Sequence, residues 1–298
     1  MPFEVGHIRN RAATRAAARA GMAGPAAMLS RSPDTLTALT EALAEMKAAG
    51  VRRIIIEGGD GTVREVLSRA LPLWGDAPPE FAICATGNTN LIARSGGRIG
   101  PEEAALIIGA PEKFRRRRVP VLKVERAGET PIRGFMLGAG AYAAATKMAR
   151  EEIGARHGAQ VALAVLRLIR SPRLRASSEI GFSPGAAAPA APEPRLLVAL
   201  TSLPAALILG LSPFWGAGEG AIRWLDIAGD PPHLALAAPF IAFGAPRRWM
   251  RRAYRSGRAE TAALSLDAHF VLDGEHFAPG ADGDVTVSAA EAVTFLSR

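Results

Sequence analysis

The chain has 298 residues, 49% of them hydrophobic, enough for one large or two medium domains with their own cores. A net charge of +8 and a pI near 10.6 favour an anionic partner: nucleic acid, an anionic membrane surface or a phosphate-bearing substrate. The single cysteine, Cys84, excludes an internal disulfide framework and suits a reducing compartment, and the five scattered histidines have no zinc-site spacing.

The first residues lack a charged-then-apolar signal pattern and read as mature protein. Residues 5–8 predict a short strand ending at Asn10, and the Ala-rich stretch 11–28 predicts helix, interrupted near Gly24-Pro25. Asp34 or Thr35 caps a helix in which Leu36, Leu39, Leu43 and Met46 recur at helical spacing as far as Gly50. Residues 54–56 predict a buried strand and 63–71 a helix, joined by Gly58-Gly59-Asp60-Gly61-Thr62. Residues 81–84 predict another buried strand, with Ala-Thr-Gly-Asn-Thr-Asn after it and a helix from residue 91. Strands alternating with helices predict a parallel sheet covered on both faces, with both glycine-containing loops at C-terminal strand ends, where open α/β sheets bind ligands.

The texture changes after Arg118. Apolar, β-rich runs at 119–126, 132–137, 196–203, 221–227, 264–272 and 285–287 predict strands, with one helix at 160–170 and an Ala/Pro-rich loop at 183–194. Residues 1–118 thus form an α/β domain and 119–298 a mostly antiparallel β-rich domain, leaving open a return of the last segment to the first. The longest apolar run, 196–211, is shorter than the roughly 20 residues of a spanning helix and contains Pro204.

Two constellations carry chemistry. In the first, glycines at 58, 59 and 61 are expected to admit positive φ and close approach of a ligand, and the following helix N-terminus favours a phosphate. Asp60 would repel that phosphate, which points to a different role, either holding Mg²⁺ or accepting a proton. The plain alternative is a strand-to-helix turn. The loop is neither a Walker loop nor a dinucleotide fingerprint. The second constellation, Leu272-Asp273-Gly274-Glu275, ends a strand in two carboxylates; alone it reads equally as an Asp-Gly hairpin with a solvated Glu.

Together these motifs resemble the bacterial diacylglycerol kinase and sphingosine kinase family of soluble lipid kinases. Asn10 falls where the family has Asn-Pro, with Arg11 replacing the proline. Gly87-Asn88-Thr89-Asn90 is similar to the family's Gly-Thr-x-Asn, with Asn88 for Thr and Leu91 for a frequent Asp. Residues 135–142 resemble its glycine-containing strand. Glu219-Gly220 and Asp226 lie near a common Asp-Gly, which leaves a structural Mg²⁺ site there in doubt. NAD kinases and phosphofructokinases share the first loop; NAD kinases lack the closing Asp-Gly-Glu.

The resemblance implies an NAD kinase/phosphofructokinase-like α/β domain followed by an antiparallel β-sandwich, and ATP and Mg²⁺ as cofactors. It implies that ATP sits on Gly58, Gly59, Asp60, Gly61 and Thr62, with Asn10, Gly87, Asn88, Thr89 and Asn90 lining the pocket and Asp60 meeting the metal. Glu275 is the first choice of base for a lipid hydroxyl, Asp60 the alternative, and Asp273 would orient the loop or a water. A diacylglycerol, sphingoid base or ceramide-like lipid is the expected acceptor. A soluble-metabolite kinase of the NAD kinase kind, or a non-catalytic lipid- or nucleotide-binding member, remain alternatives.

The surface adds a membrane reading. Residues 246–258, taken as a helix, carry six arginines around Trp249, Met250 and Tyr254, and Arg115 to Arg118 form a second basic run. A solvated charged face explains either equally well. The expectation is a cytoplasmic protein held peripherally on the inner face of an anionic membrane, with no nucleic-acid partner, since no such motif is present; a homodimer is left open. Phe214-Trp215 and residues 234–243 are expected in the core rather than in an acyl groove.

Overall fold

The computed structural model describes residues 3–11, 28–86, 90–153, 176–203 and 211–298. The chain divides into two compact units, Met1–Val119 with Ala292–Arg298, and Pro120–Glu291.

In the first unit, strands β1 (Val5–Arg9), β2 (Met28–Arg31), β3 (Arg53–Gly58) and β4 (Glu80–Ala85) form a parallel sheet in the order β2-β1-β3-β4. The end of the chain joins its edge, with Phe295 opposite Phe81. Ile54, Ile55 and Ile56 are fully buried, as strands covered on both faces require. Each such side chain contributes on the order of 1.5–3 kcal/mol through burial.

Helix α1 (Leu36–Ala48) starts where Thr35 Oγ1 accepts from the Ala38 N–H at 3.1 Å, a cap worth about 1 kcal/mol. It buries Leu39, Leu43 and Met46 but leaves Leu36 exposed. Helices α2 (Asp60–Trp74), α3 (Leu91–Gly96) and α4 (Ala104–Gly109) also belong to the unit. Two expectations change. Helix α2 begins at Asp60 rather than residue 63, because Gly59, extended at φ −96° and ψ −175°, is already its N-cap. Met28 opens a strand rather than closing a helix, and residues 12–27 lie outside the described residues.

In the second unit the strands run antiparallel. They are β5 (Arg115–Arg126), β6 (Ile132–Gly134), β7 (Met136–Gly140), β8 (Ser178–Pro184), β9 (Glu193–Thr201), β10 (Ile222–Ala228), β11 (Tyr254–Ala259), β12 (Thr261–Leu266), β13 (Phe270–Leu272), β14 (Glu275–Phe277) and β15 (Asp284–Ser297). Two of them, β5 and β15, run on into the first unit. The hydrogen-bonded order is β14-β13-β7-β9-β8-β12-β15, with β10 and β11 branching from β9 and β6 on β5. Leu122, Leu137, Phe182, Leu200, Leu264 and Phe270 belong to its core. This is the expected class: parallel strands with helices, then antiparallel strands.

The glycine-containing strand expected at 135–142 is β7, and helix α5 (Ala141–Ile153), which follows it, was not expected. The loop expected at 183–194 is present over residues 185–192, its two ends being taken into β8 and β9, which pair at Ser178↔Arg195 and Ile180↔Glu193. Run 264–272 breaks into β12 and β13, while 285–287 is the start of the long β15. The predicted helix 160–170 lies outside the described residues.

Residues 246–258 are not one helix: a single turn at Arg248–Met250 leads into β11, whose Arg255 and Arg258 pair with Asp226 and Arg223 of β10. Phe214 is buried as expected, but 234–243 is not core. It forms α6 (Leu234–Ala242), in which Ala237 alone is buried. Among the described residues no helix is long and apolar enough to cross a membrane.

Candidate active site

The described nucleotide-loop candidates, Asn10, residues 58–62 and Asn90, lie at or past the C-terminal ends of β1, β3 and β4. Asn10, just past β1, donates from its backbone N–H to Glu57 O at 2.9 Å and from Nδ2 to Thr62 Oγ1 at 2.9 Å. Gly58 ends β3. A Cβ there would sit 2.6 Å from Thr62 Cβ and Oγ1, so glycine is required for close approach and not for φ. None of Gly58, Gly59 and Gly61 has positive φ, contrary to expectation. Gly59 supplies no side-chain cap, so the first amides of α2 open the helix uncapped by it.

Asp60 turns its carboxylate toward the next loop. Oδ2 accepts from the Leu91 N–H at 2.9 Å and Oδ1 from the Ile92 N–H at 3.0 Å. Asn90, left-handed at φ 50°, is the N-cap of α3 but offers no side-chain cap, and Asp60 fills that role across the fold. Burial pushes the Asp60 pKa above the usual carboxylate value; the two amides and then Arg94 pull it partly back. Asn90 is half-buried beside this contact, while Gly87, Asn88 and Thr89 lie outside the described residues.

Residues that sequence reasoning passed over stand here too. Thr86 donates its N–H to Gly58 O at 3.0 Å, and its buried Oγ1 has no hydrogen-bond partner among the described residues. Glu57, buried, meets His7 Nε2 at 3.2 Å and Arg9 Nε at 3.5 Å, and His7 Nδ1 lies 2.9 Å from Ser30 Oγ. A Glu closing an isoleucine run was the available signal. Burial is the main cause lowering the His7 pKa, against the opposing pull of Glu57.

In the second unit, Asp273 and Gly274 form the two-residue turn between β13 and β14, at φ 48° and 85°. Positive φ at both positions is what an Asp-Gly type I′ hairpin needs. Asp273 also ties the hairpin down: Oδ1 accepts from Met136 N–H at 2.9 Å and from Phe135 N–H at 3.1 Å. A Cβ on Gly134 would fall 2.5 Å from Asp273 Oδ2, so that residue must be glycine. Glu275 opens β14 and is exposed. Its neighbour His276 lines a cavity of about 280 Å³ with Gly140, Lys147, Asp267 and His269. Tyr142 packs against Gly138, and burial, then Asp273, pushes its phenol pKa up.

Asp226 belongs to neither cluster. It is buried, with Oδ1 3.0 Å from Arg195 Nε and Oδ2 2.5 Å from Arg255 Nη2. Two guanidinium groups take its charge, and Glu219 is exposed, so these two carboxylates form no structural Mg²⁺ site. Among the described residues no three His, Cys, Asp or Glu side chains cluster to hold a metal ion. Asp60 is a single carboxylate next to a helix N-terminus, a donor set that suits Mg²⁺ held mainly through phosphates and water.

Comparison with known proteins finds likeness in fold. No curated protein matches the chain. A solved structure of a diacylglycerol kinase from Bacillus anthracis str. Sterne is similar with a TM-score of 0.63 and 16% identity, over 99% of this chain and 97% of that one. Two structures from the same organism, provisionally named diacylglycerol kinases, give TM-scores of 0.67 and 0.61 at 18% and 16% identity, covering 100% and 99% of this chain and 98% and 97% of theirs. At these identities the likeness is one of fold. Residues 20–120 match the family model of the diacylglycerol kinase catalytic domain, and so carry the sequence pattern of that domain on a chain with the fold of these kinases.

Proposed function

We propose that the protein is an ATP-dependent lipid kinase, transferring the γ-phosphate to a hydroxyl of a diacylglycerol-, sphingoid- or ceramide-like lipid. The observation that carries this reading is the Gly58–Thr62 turn, a glycine-lined helix N-terminus with the buried Thr86 hydroxyl, unpartnered among the described residues, beside it, inside the stretch that matches the kinase domain.

In this reading the α2 amides and Thr86 Oγ1 hold phosphate oxygens, with Asn10 fixing the Thr62 hydroxyl. Bound ATP supplies the phosphoryl group, and Mg²⁺ neutralises the charge that spreads over its oxygens. Asp60 anchors the start of α3 through its hydrogen bonds to Leu91 and Ile92. Asp60 would also be the residue to hold Mg²⁺ when it is bound with ATP. Glu275 takes the proton from the attacking hydroxyl, for which an exposed carboxylate on an anchored hairpin is suited. Asp273 holds that hairpin in place. The protein would act peripherally at the inner face of an anionic membrane, where ATP is plentiful and Cys84 stays reduced.

The test is phosphorylation of a bacterial lipid extract with labelled ATP, products being identified by mass. A phosphorylated lipid that requires Mg²⁺ is expected. Label appearing in NAD or another soluble metabolite, with none in lipid, would overturn the reading.

A further inference from the structure

The nine residues of α6, Leu-Ala-Leu-Ala-Ala-Pro-Phe-Ile-Ala, include no charged or hydroxyl-bearing side chain. A helix apolar on every face is normally buried. This one buries only Ala237, and Leu236 is 58% exposed and Phe243, just past its end, 69% exposed. Leu236, Pro239 and Phe243 recur at i, i+3 and i+7, so they share the outer face. At 1.5 Å per residue the helix is about 14 Å long, well short of the roughly 30 Å of a bilayer core.

The next turn supplies the charge. Arg247, Arg248, Arg251 and Arg252 are exposed, and no acidic residue lies between Pro231 and Tyr254. The Arg247 guanidinium stands 4.6 Å from the Phe240 ring centroid, so cation and apolar helix are directly adjacent. Trp249, 39% exposed, meets His233 and Tyr254 edge-on at 5.8 and 6.1 Å. The element is anchored from below. Met250 is fully buried, Tyr254 Oη donates to Pro232 O at 2.7 Å, and the Ser212 N–H donates to Ala242 O at 2.8 Å.

We propose that α6 and the 246–252 turn form one insertion element that seats in the interface of an anionic bilayer. Leu236 and Phe243 enter the acyl boundary, Trp249 sits at headgroup level, and the four arginines meet lipid phosphates. The charge selects the occupant: an apolar face beside four exposed arginines, with Asp230 the one acid in residues 229–254, is complementary to anionic lipid. This deepens the lipid-kinase reading and rests on it for the substrate. It adds an apolar component to binding that salt does not screen.

The experiment is co-sedimentation with phosphatidylcholine vesicles, with and without phosphatidylglycerol, at low and high salt. Leu236→Ser with Phe243→Ser should weaken binding at least roughly tenfold at both salt concentrations, since lost apolar burial is insensitive to screening. Gln at the four arginine positions should weaken it chiefly at low salt. In a second measurement, Phe243→Cys carries an environment-sensitive fluorophore, Cys84 being buried. Its emission should shift to the blue on anionic vesicles and be quenched by nitroxide lipids labelled near the headgroup. This readout does not depend on the folding of the double serine variant. No shift on vesicles, or a shift produced by raising protein concentration without vesicles, would overturn the proposal, the latter indicating contact with a second copy. Phosphorylation of a water-soluble, short-chain acceptor separates the two ideas. Insertion without any such activity in the wild type would sink the kinase reading and leave the insertion element standing.

Discussion

Asn10 and Thr62, one just past β1 and the other in the first turn of α2, are joined by a hydrogen bond of 2.9 Å from Nδ2 to Oγ1. The bond sets the Thr62 hydroxyl, and Gly58 leaves room for it. Thr62→Val keeps the shape and removes the acceptor. It should cost about 1 kcal/mol of stability and weaken ATP binding by roughly tenfold. Chemical denaturation and a nucleotide titration read the two effects; unchanged affinity would remove Thr62 from the nucleotide contacts.

Asp60 should show itself in a pH profile. Its folded pKa is raised above 3.8, so as pH rises through that value the unfolded chain releases its proton first. The folded state then binds more protons, and unfolding free energy falls until the folded pKa is passed. Asp60→Asn removes this component. The stability of wild type relative to the variant should decline as pH rises from below 3.8 through the folded pKa, in urea denaturation at a series of pH values. A flat difference would mean that Asp60 is not desolvated as described.

His7 predicts the opposite slope. Its folded pKa lies below 6.5, so acidification protonates the unfolded chain first. Stability present above pH 6.5 should be lost as pH falls through that value to the folded pKa. His7→Gln should abolish this acid sensitivity in thermal melts, and a persistent drop below pH 6.5 in the variant would assign it elsewhere.

Asp273 and Glu275 should separate structure from chemistry. Asp273→Asn replaces an acceptor that faces the Phe135 and Met136 amides with a group that is half donor, at an expected cost of about 1–3 kcal/mol. Glu275→Gln alters an exposed side chain and should change stability by no more than about 0.5 kcal/mol while abolishing turnover. ATP affinity should survive the second change. A destabilised Glu275→Gln protein with normal turnover would reverse the two assignments.

The strand–turn–helix at Ile54 to Val66 was legible because an apolar run, a glycine cluster and a helical period follow one another. The Asp273-Gly274 turn was legible for a similar local reason. The work of Asp60 was not, because its partners, the amides of Leu91 and Ile92, are contributed by a distant segment and carry no side-chain signature. Arginine spacing suggested a helix at 246–258, but pairing with β10, where Arg255 meets Asp226, makes residues 254–259 a strand. Residues 234–243 read as core because apolar composition cannot distinguish burial in protein from exposure on an apolar surface. Leu236 and Phe243 are apolar and exposed, a tertiary fact.

In the proposed reaction the phosphoryl group passes to a lipid hydroxyl, with Glu275 as the base. The most direct measurement is transfer of labelled γ-phosphate to diacylglycerol in mixed micelles, wild type beside Glu275→Gln, each with matched ATP-binding titrations. Labelled phosphatidic acid is expected from wild type and none above background from the variant, at equal ATP affinity. Near-wild-type turnover by Glu275→Gln would move the base to Asp60, and absence of any labelled lipid from wild type, across diacylglycerol, sphingoid and ceramide acceptors, would mean that the protein is not a lipid kinase.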